Sequence, residues 1–242
     1  FRIVIIIPAR YQSSRLPGKP LIDICGQSMI SRTYDRCCLA LESKDVFVAT
    51  DDDRIYNHCQ ENNINVLMTP GACKTGTDRV YEASKQVRAD IYINVQGDEP
   101  IIDPDNIKRV IRASTKNSDQ VIATMSIIDE EEYRNNTIPK VVTSIDNKLL
   151  YASRASIPTT KTLDFIYSKK QIGIYAFPRK SLENFVAVKN KTPLEALEDI
   201  EILRFLELGY EVQMLELVNN SFAVDVPDDI KKVEKVINAQ FN

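Results

Sequence analysis

The sequence predicts an α/β protein with a mostly parallel central sheet flanked by helices. Three observations carry that expectation. Unbroken β-branched runs, of the kind buried on both faces of a parallel sheet, recur through the first half of the chain. Stretches with apolar residues at helical spacing separate them. A chain of 242 residues with 43% hydrophobic and 27% charged residues can bury a full core, and its length suits one large α/β domain.

Taken in order, Ile3-Val4-Ile5-Ile6-Ile7 is the first strand. It follows a single Arg and has no small-residue cleavage site, so it reads as a buried strand and not as a signal peptide. Ile30, Tyr34, Cys37, Cys38 and Leu41 then fall on one helical face. Val46 to Thr50 is the second strand, and Asp51-Asp52-Asp53 reads as solvated or helix-start acids before a helix through Arg54–Cys59. Asn65 to Met68 and Ile91 to Val95 are further strands. A helix opens after Thr75-Gly76-Thr77, with Val80, Ala83 and Val87 on one side, and another follows Pro104, with Ile107, Val110 and Ile111. Strand–helix–strand repetition implies right-handed crossovers, with ligands beyond the carboxyl ends of the strands.

The second half is less regular. Glu130-Glu131-Glu132 reads like the earlier acidic run. Lys140-Val141-Val142 and Leu149-Leu150-Tyr151 suggest a strand pair around a turn at Asp146-Asn147, and Gly173 to Phe177 a further strand. Thr192-Pro193 opens what reads as one helix running to about Gly209, with Thr to cap it, Pro in its first turn and Gly to end it. A strand from Tyr210 to Leu217 and a helix after Pro227 complete the chain.

Composition excludes several functions. A net charge of −3 and a pI of about 5.4 argue against general nucleic-acid binding, while leaving room for a local basic pocket. The single histidine, His58, rules out a His-rich zinc site and would be the only base for a Ser-His-Asp triad. The five cysteines (Cys25, Cys37, Cys38, Cys59, Cys73) are odd in number and lack C-x-x-C spacing, which fits reduced thiols in a cytoplasmic protein. No apolar run approaches the ~20 residues of a membrane span.

Four segments carry chemistry. Pro8-Ala9-Arg10-Tyr11-Gln12-Ser13-Ser14-Arg15-Leu16-Pro17-Gly18-Lys19-Pro20-Leu21 places three cations within ten residues after the first strand. Arg forks and a Lys point charge suit phosphate oxygens, and small residues let backbone N–H groups approach an anion. The glycine spacing is neither a Walker A loop nor G-x-G-x-x-G, and a plain solvated basic loop is the competing reading. Gln96-Gly97-Asp98-Glu99-Pro100 follows a buried strand, where an acid can hold Mg²⁺ or simply cap a turn. Thr75-Gly76-Thr77-Asp78-Arg79 begins a helix, which is an acceptor-binding end or a plain N-cap. Val224-Asp225-Val226-Pro227-Asp228-Asp229 offers a second metal acid or, again, helix capping.

Together these segments, with Ser153-Arg154-Ala155, Ile157-Pro158, Gly173-Ile174-Tyr175 and Pro193-Leu194-Glu195 leading to Glu201, resemble the 3-deoxy-manno-octulosonate cytidylyltransferases (CMP-Kdo synthetases) in order from about Ile3 to Val233. The resemblance implies a nucleotide-diphospho-sugar transferase fold. It also implies a single domain over 1–242, with 1–130 mainly nucleotide-binding, 131–220 mainly sugar-binding and dimerising, and 221–242 returning to the first portion. The implied reaction is transfer of CMP from CTP to the anomeric hydroxyl of Kdo by metal-assisted in-line attack, with Mg²⁺ as cofactor. Arg10, Arg15 and Lys19 would hold the triphosphate. Ala9, Ser13, Thr75, Gly76, Arg79 and Gln96 would line the nucleotide. Asp98 and Asp225 would hold metal, with Lys19, Arg10, Arg15 and Asp98 the catalytic set. Gln96, Arg154, Tyr175 and Glu201 would meet the sugar. The resemblance also implies a cytoplasmic homodimer without nucleic-acid or membrane partners, serving lipopolysaccharide or capsule assembly.

The chain departs from the family at the sugar end. Gln171 stands where the family usually has His, and Ile202 where it commonly has Gln. Ala223-Val224-Asp225-Val226-Pro227 replaces the usual Gly-Val-Asp-Thr-Pro. The altered end leaves open a modified acid such as 8-amino-8-deoxy-Kdo. A non-catalytic nucleotide-binding partner protein is the alternative of another class.

Overall fold

A computed structural model describes residues 1–13, 16–218 and 223–240. The elements in chain order are β1 (Ile3–Ala9), the short strands β2 (Asp23–Ile24) and β3 (Gln27–Ser28), α1 (Met29–Cys38), β4 (Val46–Thr50), α2 (Asp53–Glu61), β5 (Val66–Met68), α3 (Gly76–Ser84), β6 (Ile91–Val95) and α4 (Pro104–Lys116). There follow β7 (Val121–Ile128), α5 (Glu130–Arg134), β8 (Lys140–Thr143), β9 (Leu149–Ser153), β10 (Ser168–Pro178), α6 (Arg179–Ala187), α7 (Pro193–Glu198), α8 (Ile202–Glu207), β11 (Val212–Glu216) and α9 (Pro227–Gln240).

The main sheet runs β11-β7-β10-β6-β1-β4-β5, with β8 and β9 attached beside β10. β1 pairs in parallel with β4 and β6, β4 with β5, and β11 with β7, whereas β10 runs antiparallel between β6 and β7. The β-branched runs of β1 and β6 sit in the middle of this sheet because both of their faces are covered. Val4, Ile6 and Tyr92 face a core shared with Val80, Phe177, Phe185 and Phe205. Ile5, Ile7 and Ile93 face a second core shared with Ile30, Ile55 and Ile107. A third cluster, Ile24, Met29, Val224, Val233 and Ile237, seats α9 beside the β2–β3 hairpin. The carboxyl ends of β1 and β4 lie level, with Ala9 opposite Thr50.

The expected single helix from Thr192 to about Gly209 is instead two helices. Asp199 adopts left-handed backbone geometry at φ 53°, ending α7, and α8 starts three residues later. The break is held by Arg154, whose Nε and Nη2 donate to the carbonyls of Glu198 and Asp199 at 2.6 and 3.2 Å. An arginine reaching carbonyls at a helix end satisfies groups that the next turn would otherwise have taken.

The two short helices are joined by a buried ion pair. Arg204 and Glu195 are 1% and 0% exposed, and the guanidinium bonds both carboxylate oxygens at 2.6 Å. The same guanidinium lies 3.7 Å from the centre of the Phe185 ring. Removing one partner of such a pair strands a charge in the core, at a cost of about 3–5 kcal/mol. Arg204→Met is therefore expected to lower unfolding stability by about that amount in urea titration, and Arg204→Met with Glu195→Leu by less than the single change. A single-variant loss below about 1 kcal/mol would contradict this account of α7 and α8.

Candidate active site

A cavity of about 340 Å³ opens at the carboxyl ends of β1 and β6, lined by residues from all four chemistry-bearing segments. One wall is built by the segment after β1. Gly18 sits at φ 70°, where its missing side chain also matters, because a Cβ would come 3.0 Å from the Tyr11 hydroxyl. That turn starts a short 3₁₀ helix whose first residue is Lys19. The Lys19 ammonium donates to Asp98 Oδ2 at 2.8 Å, to the Val224 carbonyl at 2.8 Å and to Asp225 Oδ1 at 3.3 Å. The Val224 N–H in turn donates to the Asp98 carbonyl at 2.9 Å, which ties the 223–225 segment to the turn after β6. That turn needs Gly97, since a Cβ there would lie 2.9 Å from the Pro8 carbonyl oxygen.

The opposite wall is the start of α3. Thr75 and Asp78 form a reciprocal capping box. The Glu201 carboxylate accepts from the Gly76 and Thr77 N–H groups at 3.1 and 2.9 Å and from the Thr77 hydroxyl at 2.6 Å. A helix N-terminus attracts an anion, and here the protein supplies its own. The break between α7 and α8 is what brings Glu201 there. Asp199 also lines the cavity, and the Lys191 ammonium bonded to it holds its carboxyl below the ordinary range. Between the two walls lies Gln96, packed so closely against β10 that a Cβ on Gly173 would come 2.8 Å from Gln96 Cγ.

Of the residues expected at a site, Ala9, Arg10, Ser13, Lys19, Thr75, Gly76, Arg79, Gln96, Asp98, Glu201 and Asp225 line this one cavity. Arg15 lies outside the described residues. Arg79 is 4% exposed, and its guanidinium donates to Thr69 Oγ1 at 2.6 Å and pairs with Asp51 at 3.2 Å, so it braces the wall from behind. Four expected sugar contacts are not brought to the cavity. Arg154 directs its guanidinium to the carbonyls of Thr137, Glu198 and Asp199. Ile202 is 2% exposed in the core beside Leu203 and Phe205. Gln171 donates its amide to the Tyr175 hydroxyl, whose pKa burial drives upward. His58 also stays away from the cavity, its Nε2 lying 2.7 Å from the hydroxyl of Ser28, the residue that caps α1.

Sequence reasoning missed Lys74 and Lys191. Each directly precedes a threonine that opens a capping box, Thr75 and Thr192, and that juxtaposition was the available signal. Lys74 donates to the Lys189 carbonyl at 2.8 Å and to Asn190 Oδ1 at 2.9 Å, joining the two loops across the mouth.

The acids suit a hard divalent cation. Asp98 and Asp225 already share one cation, the Lys19 ammonium, so their oxygens converge on a point. Among the described residues no group of three or more His, Cys, Asp or Glu side chains is placed to enclose a metal. Two carboxylates converging in this way are a donor set of the kind Mg²⁺ uses, its remaining ligands coming from phosphates and water.

The chain matches the family model described as cytidylyltransferase over residues 4–216. It is 38% identical to the 3-deoxy-manno-octulosonate cytidylyltransferase of Protochlamydia amoebophila, over 97% of this chain and 93% of that one. It is 39% identical to the 8-amino-3,8-dideoxy-manno-octulosonate cytidylyltransferase of Shewanella halifaxensis, over 96% of this chain and 97% of that one. A solved structure of CMP:2-keto-3-deoxy-manno-octonic acid synthetase complexed with CTP superposes with a TM-score of 0.90 at 35% identity, covering 99% of this chain and 100% of the other.

Glu198 provides a test of the wall that Arg154 supports. Burial alone would raise its pKa, but the Arg154 N–H and the hydroxyls of Ser153 and Tyr151 outweigh burial and hold it below the ordinary glutamate value. A carboxyl lowered on folding stabilises above its unfolded pKa and loses that contribution as pH falls through the folded value. Wild type is thus expected to exceed Glu198→Gln in thermal midpoint at about pH 7, with the gap narrowing as pH falls below the ordinary glutamate range. A gap independent of pH would contradict the assignment.

Proposed function

The chain belongs to the 3-deoxy-manno-octulosonate cytidylyltransferase family, and we propose that it transfers the cytidylyl group of CTP to the anomeric hydroxyl of Kdo, releasing pyrophosphate. The observation that carries this reading is the convergence of Lys19, Asp98 and Asp225 at the carboxyl ends of the central strands. The attacking sugar hydroxyl is a weak nucleophile, and the target phosphorus is screened by anionic oxygens. Arg10 and Lys19 bind those oxygens and stabilise the charge that gathers on departing pyrophosphate. Asp98 and Asp225 would hold Mg²⁺, which would supply charge withdrawal from the phosphates. Ala9, Ser13, Thr75 and Gly76 line the nucleotide, and Gln96 and Glu201 face the sugar from the α3 side. With these groups in place, no histidine base is required.

Kdo is favoured over an 8-amino sugar by where the two unusual residues lie. Gln171 engages Tyr175 and Ile202 is in the core, so neither departure alters the cavity lining. The nucleotide-binding portion corresponds to 1–130 and 221–242, and the sugar-binding and dimerising portion to 131–220. In that second portion Ile145, Leu150, Leu163 and Ile166 are 101%, 62%, 68% and 78% exposed, which supports a homodimer formed through it. All five cysteines are free thiols, which supports a reducing cytoplasmic location. Among the described residues no helix is long and apolar enough to cross a membrane.

Pyrophosphate release with CTP and Mg²⁺ is expected with Kdo. Turnover of 8-amino-8-deoxy-Kdo alone would overturn the sugar assignment, and CTP binding without turnover of either sugar would point to a nucleotide-binding partner protein. Asp98→Ala, checked for folding by circular dichroism, is expected to lose turnover by on the order of a hundredfold or more. Light scattering should give twice the 27.5 kDa chain mass, and a monomer at micromolar concentration would contradict the dimer.

A further inference from the structure

The Lys19 ammonium sits between the carboxylates of Asp98 and Asp225. An ammonium has three N–H donors. The structure accounts for all three, on Asp98 Oδ2, Asp225 Oδ1 and the Val224 carbonyl. As folded, Lys19 therefore has no donor left for a phosphate. A divalent cation held by the same two carboxylates would be repelled by the charge of this ammonium. Lys19 and Asp98 are 17% and 25% exposed and Asp225 38%, so water screens this repulsion only in part.

We propose that Lys19 is the resident counter-cation of the Asp98–Asp225 pair, and that a divalent cation enters only as the nucleotide's phosphates draw the ammonium away. The proposal rests on the nucleotide and metal assignment made above. The exchange balances charge. Two carboxylates hold one positive charge before it and two after it, and the released ammonium gains phosphate oxygens as new acceptors. The backbone need not move. Gly18 and Tyr11 fix the turn through the Gly18 N–H to Tyr11 carbonyl bond at 3.0 Å, while the four-carbon stem swings. Arg10 lines the same cavity and offers the phosphates a second cation. Metal and nucleotide then bind cooperatively, each raising the other's affinity by the same factor. The acid pair also stays closed to stray divalent cations until substrate arrives.

The test is Mn²⁺ binding followed by electron paramagnetic resonance, without nucleotide, on wild type, Lys19→Met and Lys19→Gln. The neutral variants are expected to bind Mn²⁺ at least about tenfold more tightly than wild type, since the competing charge is gone. Adding a non-hydrolysable CTP analogue should narrow that gap, because wild type then gives up the lysine too. Equal or weaker Mn²⁺ binding by a folded neutral variant would overturn the proposal. Lys19→Gln retains a donor for the Val224 carbonyl and serves if Lys19→Met does not fold. Asp98→Asn separates the two levels of inference. If it leaves Mn²⁺ binding by the nucleotide-loaded protein unchanged, the metal assignment itself fails and this proposal with it.

Discussion

The buried pair of Arg204 with Glu195 is the constraint on which the second half of the molecule depends. Two opposite charges removed from water are tolerated only when every donor and acceptor finds a partner. Here the guanidinium forks onto both carboxylate oxygens, stacks on Phe185 and approaches Asp78, the acid of the α3 capping box, at 3.5 Å. Glu195 also accepts from the Thr192 N–H at the start of α7. One interaction thus sets α7, α8 and the start of α3 relative to one another. The interruption at 199–201 falls between the two bonded residues, and it aims Glu201 at α3.

The cavity that results is a mixed-charge chamber. Lys19, Asp98 and Asp225 neutralise one another in part at one end. At the other, Glu201 satisfies backbone donors that would otherwise attract a ligand anion. Arg10 and the mouth lysines line the same cavity, with the α3 N-terminus already occupied by Glu201. This gives the two ends different chemistry. The Lys19 end concentrates charged groups of both signs, whereas the α3 end presents carboxylate and amide acceptors. Other residues shape the cavity through the groups they hold. Arg154, Arg79 and Gly173 each act through a neighbour, on the 199–201 break, the Asp51–Thr69 brace and Gln96 respectively.

Much of the fold was legible because burial on both faces leaves an unmistakable pattern. Val46–Thr50 and Ile91–Val95 are strands at the bounds their β-branched runs indicate. The helix after Pro104 and the capped start of α3 follow from proline at a first turn and from a Thr-x-x-Asp box. The strand Val121–Ile128 and the helix Arg179–Ala187 carry no comparable signal in the sequence. The first is broken by Thr124 and Ser126, whose burial depends on sheet neighbours. Thr124, for instance, donates to the carbonyls of Ile172 and Ile174. The second lacks a side-chain cap at its start.

At the site, residues next to a strand end were readable, because chain direction alone carries them to the sheet's carboxyl edge. That covers Arg10, Gln96 and Asp98. The sequence by itself thus determined the α/β class, the edge where the cavity forms and the charged groups that surround it. Tertiary structure alone decided that Arg154 would hold carbonyls, that Ile202 would be core, that one helix would become two and that Lys19 would lie between two acids. Each of these outcomes depends on partners distant in sequence, Arg154 on residues 44 and 45 positions away and Lys19 on residues 79 and 206 positions away. Local pattern records what a residue prefers, and only the packed chain settles which distant partner is within reach.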